Sequence, residues 1–219
     1  MSFDPLNPQF FRKLVRRTAY SRPSDTEFYA YTYFRKRYHH EIAEDCVERC
    51  VYCDAHEDEV GGREAMQIDH FRPHGLAEFE HLKDVPTNFH HSCARCNNWK
   101  RARWLSSDPS ATHDGTVGFI DPFNDDRRLY FEVLPDGELR ALHPVGRYLI
   151  RLLALNRPFL RLLRLRRILR AKLEEFTRTR LPIWEAAARG EGSVSREELA
   201  AETVELNRLW LLSSPTYRG

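Results

Sequence analysis

Ile68-Asp69-His70-Phe71-Arg72-Pro73 lies between two Cys-x-x-Cys pairs, Cys50-Val51-Tyr52-Cys53 and Cys93-Ala94-Arg95-Cys96, and the second pair runs directly into Asn97 and then Lys100. A two-residue spacer lets one tight turn aim two sulfurs at a single ion. Two such turns supply the four soft ligands of a closed tetrahedral zinc site. The 39 residues from 54 to 92 exceed what a minimal finger needs, so an inserted element is expected between the knuckles. Free thiols that happen to be paired are the competing reading, and the spacing favours zinc. Cys46 is expected to be a small buried residue rather than a ligand, with His56 as a fallback ligand.

Working outward, Met66–His70 reads as a short strand, residues 74–88 as a long loop, Phe89–Ser92 as a second strand and Ala94–Arg103 as a helix starting on the second knuckle. Neighbours in a strand point to opposite sides. Asp69 and His70 therefore take separate roles, one facing a metal ion and the other a water. A neutral imidazole is a natural general base near pH 7. A carboxylate and a carboxamide oxygen are hard ligands of the kind Mg²⁺ or Mn²⁺ accepts, and Asn97 is placed by the adjoining zinc cysteine. This is a frame for hydrolysis of a phosphodiester.

These residues carry a family resemblance. Ile68-Asp69-His70-Phe71-Arg72-Pro73, then Asn88, then Cys93-x-x-Cys96-Asn97-x-x-Lys100, resembles the HNH endonucleases of the ββα-metal fold, in the zinc-bearing four-cysteine branch. The match covers residues 50–103. It implies His70 as the base that activates water, and Asp69 and Asn97 as ligands of the catalytic Mg²⁺ or Mn²⁺. It implies Asn88 as a brace that orients the histidine, and Cys50, Cys53, Cys93 and Cys96 as ligands of structural zinc. Lys100 and Arg72 would touch phosphate, and the neighbouring Arg101 is a further candidate for contact with nucleic acid. The third signature position is Asn97 rather than His, and only Gly75 stands where a Gly-Gly usually follows the Asp-His strand. Phe71-Arg72-Pro73, Ser92-Cys93, Phe119-Ile120-Asp121-Pro122 and Leu155-Asn156-Arg157-Pro158 resemble a narrower group, the HNH component of Septu-like anti-phage defence systems. That resemblance implies an antiviral role beside an ATPase partner.

The whole chain of 219 residues suits one domain or a compact domain with an extension. Charged residues make up 30% and the hydrophobic set 42%, a folded composition. Net charge is only +2, but it is unevenly spread. Residues 1–40 hold 8 basic and 3 acidic side chains, 41–80 hold 3 and 12, and 140–180 hold 12 and 2. A basic arm and a basic tail-half around an acidic centre suggest phosphate contacts near a cation site. No apolar run follows the N-terminus and none approaches the roughly 20 residues that span a bilayer. The expectation is a cytoplasmic protein with reduced cysteines and no membrane partner.

The fold class expected is α+β, mostly helical. A small ββα-metal core with structural zinc at 50–105 follows an N-terminal basic helical arm at 1–49. A strand and hairpin extension at 106–143 and a C-terminal helical region at 144–219 complete it. The arm is expected to hold a short helix around Pro8–Arg17 and a second opened by the capping box Ser24-x-x-Glu27. Val117–Ile120 reads as a strand. Leu129–Leu134 and Glu138–Leu142 flank a Pro135-Asp136-Gly137 turn. A helix from Pro158 is expected to be broken or kinked at Pro182, and Ser195-x-x-Glu198 to cap a last one. Leu162, Leu165, Leu169, Leu173 and Phe176 predict a packed face on the Pro158 helix. Arg161, Arg164, Arg167 and Arg170 between them predict a solvated, phosphate-tracking or partner-binding face. Trp99, Trp104, Trp184 and Trp210 are expected to fill core or interface. The function expected is hydrolysis of DNA. Its rivals are a zinc-stabilised binding module without cleavage, and a nuclease subunit silent without its ATPase.

Overall fold

The computed structural model describes residues 10–20, 33–105, 108, 110–192 and 194–213. The expected capping box Ser24-x-x-Glu27 lies outside them. The fold is α+β, with two small antiparallel sheets and five α-helices among the described residues. The chain forms two compact units. One comprises Phe10–Val133 and Leu139–Leu160. The other comprises, among the described residues, Leu134–Glu138 and the chain from Arg161 onward. No described helix is long and apolar enough to cross a membrane.

In the first unit, helix α1 (Tyr33–Asp45) precedes the first knuckle. Strand β1 (Met66–His70) pairs with β2 (Phe89–Cys93) in antiparallel register, Met66 opposite Cys93 and His70 opposite Phe89. Helix α2 (Ala94–Lys100) follows without a linker. It is shorter than the sequence suggested, because Arg101 turns to φ +50 and closes it. The loop between the strands contains two short 3-10 turns, Ala77–Leu82 and Pro86–Asn88. The expected strand at Val117–Ile120 is absent, and only a single bridge joins His113 to Gly118. Strands β3 (Phe131–Val133) and β4 (Leu139–Ala141) form the expected hairpin. Helix α3 (Pro144–Leu152) is capped by His143, whose side chain accepts from the Val145 amide.

No helix forms over residues 10–17. Phe10, Phe11 and Leu14 are buried, and the Leu14 amide donates to the Pro122 carbonyl at 2.8 Å. Tertiary packing of an irregular arm has overridden a modest helical preference. Arg17 is paired inside the unit: its Nε meets Asp45 Oδ1 at 2.8 Å and its Nη2 meets Glu44 at 2.7 Å. Trp104 packs as expected, against Phe71, Phe79 and Phe119.

In the second unit, helix α4 begins at Pro158 in the first unit's chain segment and runs to Ala188, continuing through Pro182 rather than ending before it. Proline removes one amide donor there, and the turns on either side keep the helix. Gly190, at φ +80, ends it with the Glu191 amide bonded to the Ala186 carbonyl at 2.8 Å. Helix α5 (Arg196–Ser213) starts on a reciprocal capping box. Ser195 Oγ accepts from the Glu198 amide and Glu198 Oε2 from the Ser195 amide, both at 3.1 Å. Trp184 Nε1 joins α4 to α5 through Glu202 at 2.6 Å, whereas Trp210 is exposed rather than packed.

The buried face of α4 differs from the expected leucine row. Leu163, Arg164 and Ile168 are buried, and Leu162 is exposed. Arg164 Nε donates to the Gly137 carbonyl at 2.6 Å, and Arg161 Nη2 pairs with Asp136 at 2.5 Å and with Glu138 at 3.4 Å. Gly137 is obligatory at this turn: its φ is +81, and a Cβ would stand 2.2 Å from the Arg161 carbonyl oxygen. Arg164 is thus a packed structural arginine rather than a phosphate contact, and Arg161 is committed to the turn's carboxylates. Arg164→Ala is expected to lower stability by about 2 kcal/mol or more, because it removes a buried charge-assisted bond. A denaturant titration that gives the parental midpoint would overturn this.

Candidate metal centre and active site

The four cysteine sulfurs of Cys50, Cys53, Cys93 and Cys96 lie within 4.8 Å of one another, and all four residues are buried. Cys53 and Cys93 sulfurs are 3.9 Å apart. A zinc ion with Zn–S bonds of about 2.3 Å requires sulfur separations of about 3.8 Å. Donor chemistry, number and spacing therefore fit structural zinc. Side-chain hydrogen bonds among the four thiols hold Cys93 low and push Cys53 and Cys96 up, so the cluster shares its protons unevenly.

The knuckles are anchored by backbone. The Val51 amide donates to the His91 carbonyl of β2 at 3.0 Å, and buried Arg127 donates to the Val51 carbonyl at 2.7 Å. Cys46 is buried and outside the cluster, with burial pushing its thiol up to about 12. His56 caps a 3-10 turn and is also outside it. His90 and His91 are fully buried in β2, with burial holding both imidazoles low, His91 at about 3. They are strand packing residues and not part of the cysteine cluster.

Alternation along β1 separates Asp69 from His70, as the sequence predicted. Asp69 is buried and faces α2. Its Oδ1 accepts from Lys100 Nζ at 3.0 Å, and its Oδ2 accepts a short hydrogen bond from the Tyr52 hydroxyl. Burial pushes the Asp69 carboxyl up, and Lys100 and Tyr52 oppose that shift. Lys100 Nζ also donates to the His70 carbonyl at 2.8 Å, and the side chain is fully buried. Lys100 is therefore not presented to a phosphate. Asn97 Nδ2 donates to Gln67 Oε1 at 2.8 Å. Each Asp69 oxygen already accepts a hydrogen bond and Lys100 supplies the neutralising charge. In this arrangement Asp69 and Asn97 do not fit the Mg²⁺ or Mn²⁺ that the resemblance implies.

His70 lies on the other side of β1, partly buried, edge-on to Phe89 and with its ring 4.1 Å from that of His74. Its Nε2 is 2.9 Å from the Lys83 carbonyl oxygen. Burial lowers its pKa below 6.5, so the imidazole is neutral at pH 7. A carbonyl oxygen only accepts, so Nε2 carries the proton and Nδ1 keeps the lone pair.

Asn88 holds the loop that presents this carbonyl. Its Oδ1 accepts from the Arg72 amide at 2.8 Å, and its Nδ2 donates to the Arg72 carbonyl at 2.9 Å and the Leu82 carbonyl at 3.3 Å. Asn88→Ala is expected to cost about 2–3 kcal/mol, since it leaves buried backbone groups without partners. It should also reduce any activity that depends on the His70 orientation. A melt and a cleavage assay on the same sample check both effects, and an unshifted melting temperature would remove the bracing role.

Arg72 Nη2 donates to the Ser110 carbonyl at 3.1 Å and its guanidinium lies 5.4 Å from the Trp104 ring centre. Arg101 is exposed beyond α2. The structure thus joins Lys100 to Asp69 and Asn97 to Gln67 across β1 and α2, and links His70 and Asn88 through the carbonyls of Lys83 and Leu82 in the loop. Arg161 and Arg164 belong to the other unit. Sequence reasoning missed Tyr52, Gln67 and the Lys83 carbonyl. Strand alternation was a usable signal for Gln67, which shares the Asp69 face two residues away. No protein-family model, curated protein or solved structure matches this chain.

Proposed function

We propose that the chain is a phosphodiester hydrolase acting on DNA, an endonuclease of the HNH kind, with a zinc knot as its scaffold and His70 as its general base. The observation that carries this reading is the bond between His70 Nε2 and the Lys83 carbonyl at 2.9 Å. It assigns the ring proton and leaves Nδ1 of a neutral, partly buried imidazole to take a proton from water. The order of elements supports it: an antiparallel hairpin, a histidine at the end of its first strand, an asparagine-braced loop, and a helix seated directly on the second cysteine pair.

In this mechanism water loses its proton to His70 Nδ1 as its oxygen attacks phosphorus, the P–O3′ bond breaks, and the 3′ oxygen takes a proton from solvent water. His70 Nε2–H stays on the Lys83 carbonyl, which fixes the tautomer and the ring plane through the step. Asn88 keeps the loop carrying that carbonyl in register. Arg72 and exposed Arg101 are the candidates for holding phosphate on this unit.

The second reading is a nuclease subunit that is silent alone and works beside an ATPase, as in anti-phage defence. It is favoured by one observation, the closed Lys100–Asp69 pair. Incubating the pure protein with supercoiled plasmid and Mg²⁺ or Mn²⁺ tests the main reading, with nicked and linear products expected. Cleavage appearing only after an ATPase is added would support the second reading. Binding without cleavage under any condition would leave a zinc-stabilised DNA-binding module.

A further inference from the structure

The face of β1 that carries Gln67 and Asp69 is joined to α2 by two side-chain bonds one helical turn apart. Asn97 reaches Gln67 and Lys100 reaches Asp69. Four features of the second bond are unusual for a lysine. Its nitrogen touches a carboxylate oxygen at 3.0 Å and a backbone carbonyl at 2.8 Å. The whole side chain is excluded from solvent. The Phe119 ring centre is 5.6 Å from Nζ, on the scale of a cation–π contact. The remaining Asp69 oxygen is held by Tyr52, which stands inside the first cysteine knuckle. Asp69 is thereby tied to both halves of the cysteine knot.

We infer that Lys100 is the resident cation of Asp69 and bars a divalent ion from that carboxylate while the pair is intact. A hard divalent ion binds carboxylate oxygen at about 2.1 Å. An ion at that distance from Asp69 Oδ1 would lie within a few ångströms of an ammonium group that is already there, in a site with little water to screen the repulsion. The two cations are therefore alternatives. Lysine suits such a position because its charge is compact and its four-carbon stem is flexible, so Nζ can leave without rebuilding the helix. The same lysine bonds the His70 carbonyl, so its departure would also be felt at the residue that carries the base. The inference deepens the nuclease reading and rests on it only through the Mg²⁺ or Mn²⁺ that the resemblance implies at Asp69.

Binding of Mn²⁺ to the zinc-loaded protein, followed by electron paramagnetic resonance of the free ion, decides the matter. Lys100→Met removes the charge and keeps much of the side-chain volume. The double variant Asp69→Asn/Lys100→Met removes both charges, which leaves no buried ion without its partner. Wild type and double variant should bind Mn²⁺ equally, and Lys100→Met should bind at least tenfold more tightly than either. Wild type binding tenfold more tightly than the double variant would overturn the inference. So would a folded, zinc-loaded Lys100→Met that binds no more tightly than the double variant. If Lys100→Met does not retain zinc, the comparison of wild type with the double variant decides alone. Plasmid cleavage is scored separately on wild type and His70→Ala. Its failure counts against the nuclease reading and leaves the Mn²⁺ result standing.

Discussion

His70→Ala is expected to slow plasmid cleavage by about a hundredfold to ten-thousandfold, the usual contribution of a positioned general base. DNA affinity should stay nearly unchanged, because the base acts on the transition state more than on the bound ground state. The parental enzyme should also show a displaced acid limb. His70 works in its neutral form, so the rate falls as pH drops through its folded pKa. Burial lowers that pKa below 6.5. The midpoint of the acid limb should therefore lie below pH 6.5, the ordinary imidazole value. A His70→Ala protein that nicks plasmid at the parental rate removes His70 from the mechanism. An acid limb above pH 6.5 in the parental enzyme would contradict the burial that assigns the neutral imidazole.

Cys93→Ser is expected to abolish zinc retention and, with it, the fold of the unit that contains the knot. Structural zinc sites contribute about 10–16 kcal/mol to folding, while whole domains are stable by about 5–15 kcal/mol. Loss of one of four buried ligands is thus comparable with the entire stability available. The parental protein should contain one zinc per chain by elemental analysis, and the variant should lack it, melt far lower and lose solubility. Cys46→Ala is the matched control. Cys46 is equally buried but outside the cluster, so zinc content should not change. Parental protein that is folded and free of zinc would refute the structural role of the knot.

Much of the local structure could be read from spacing. The two Cys-x-x-Cys turns, the strands at Met66–His70 and Phe89–Ser92 (the latter running one residue further, to Cys93), the Pro135-Asp136-Gly137 hairpin and the Ser195–Glu198 capping box each depend on residues a few positions apart. Such features are dictated by turn chemistry, alternation and capping, which act over one or two turns of chain. The irregular arm at 10–20 and the missing strand at 117–120 were not readable this way, since long-range packing decides them.

The destination of charged side chains was decided only by the tertiary structure. Lys100 and Arg164 look in sequence like surface cations beside a nucleic acid. Both are buried, because the fold brings to them an acceptor 31 and 27 residues away, Asp69 and the Gly137 carbonyl. Tyr52 likewise meets Asp69 across 17 residues. A charge stays in water unless a partner offsets its desolvation. Whether such a partner exists is a property of which distant segments pack together. Residue spacing alone brought out the four clustered cysteines and the order of hairpin and helix around them. The packing of α2 on β1 determined that Asp69 would face a lysine.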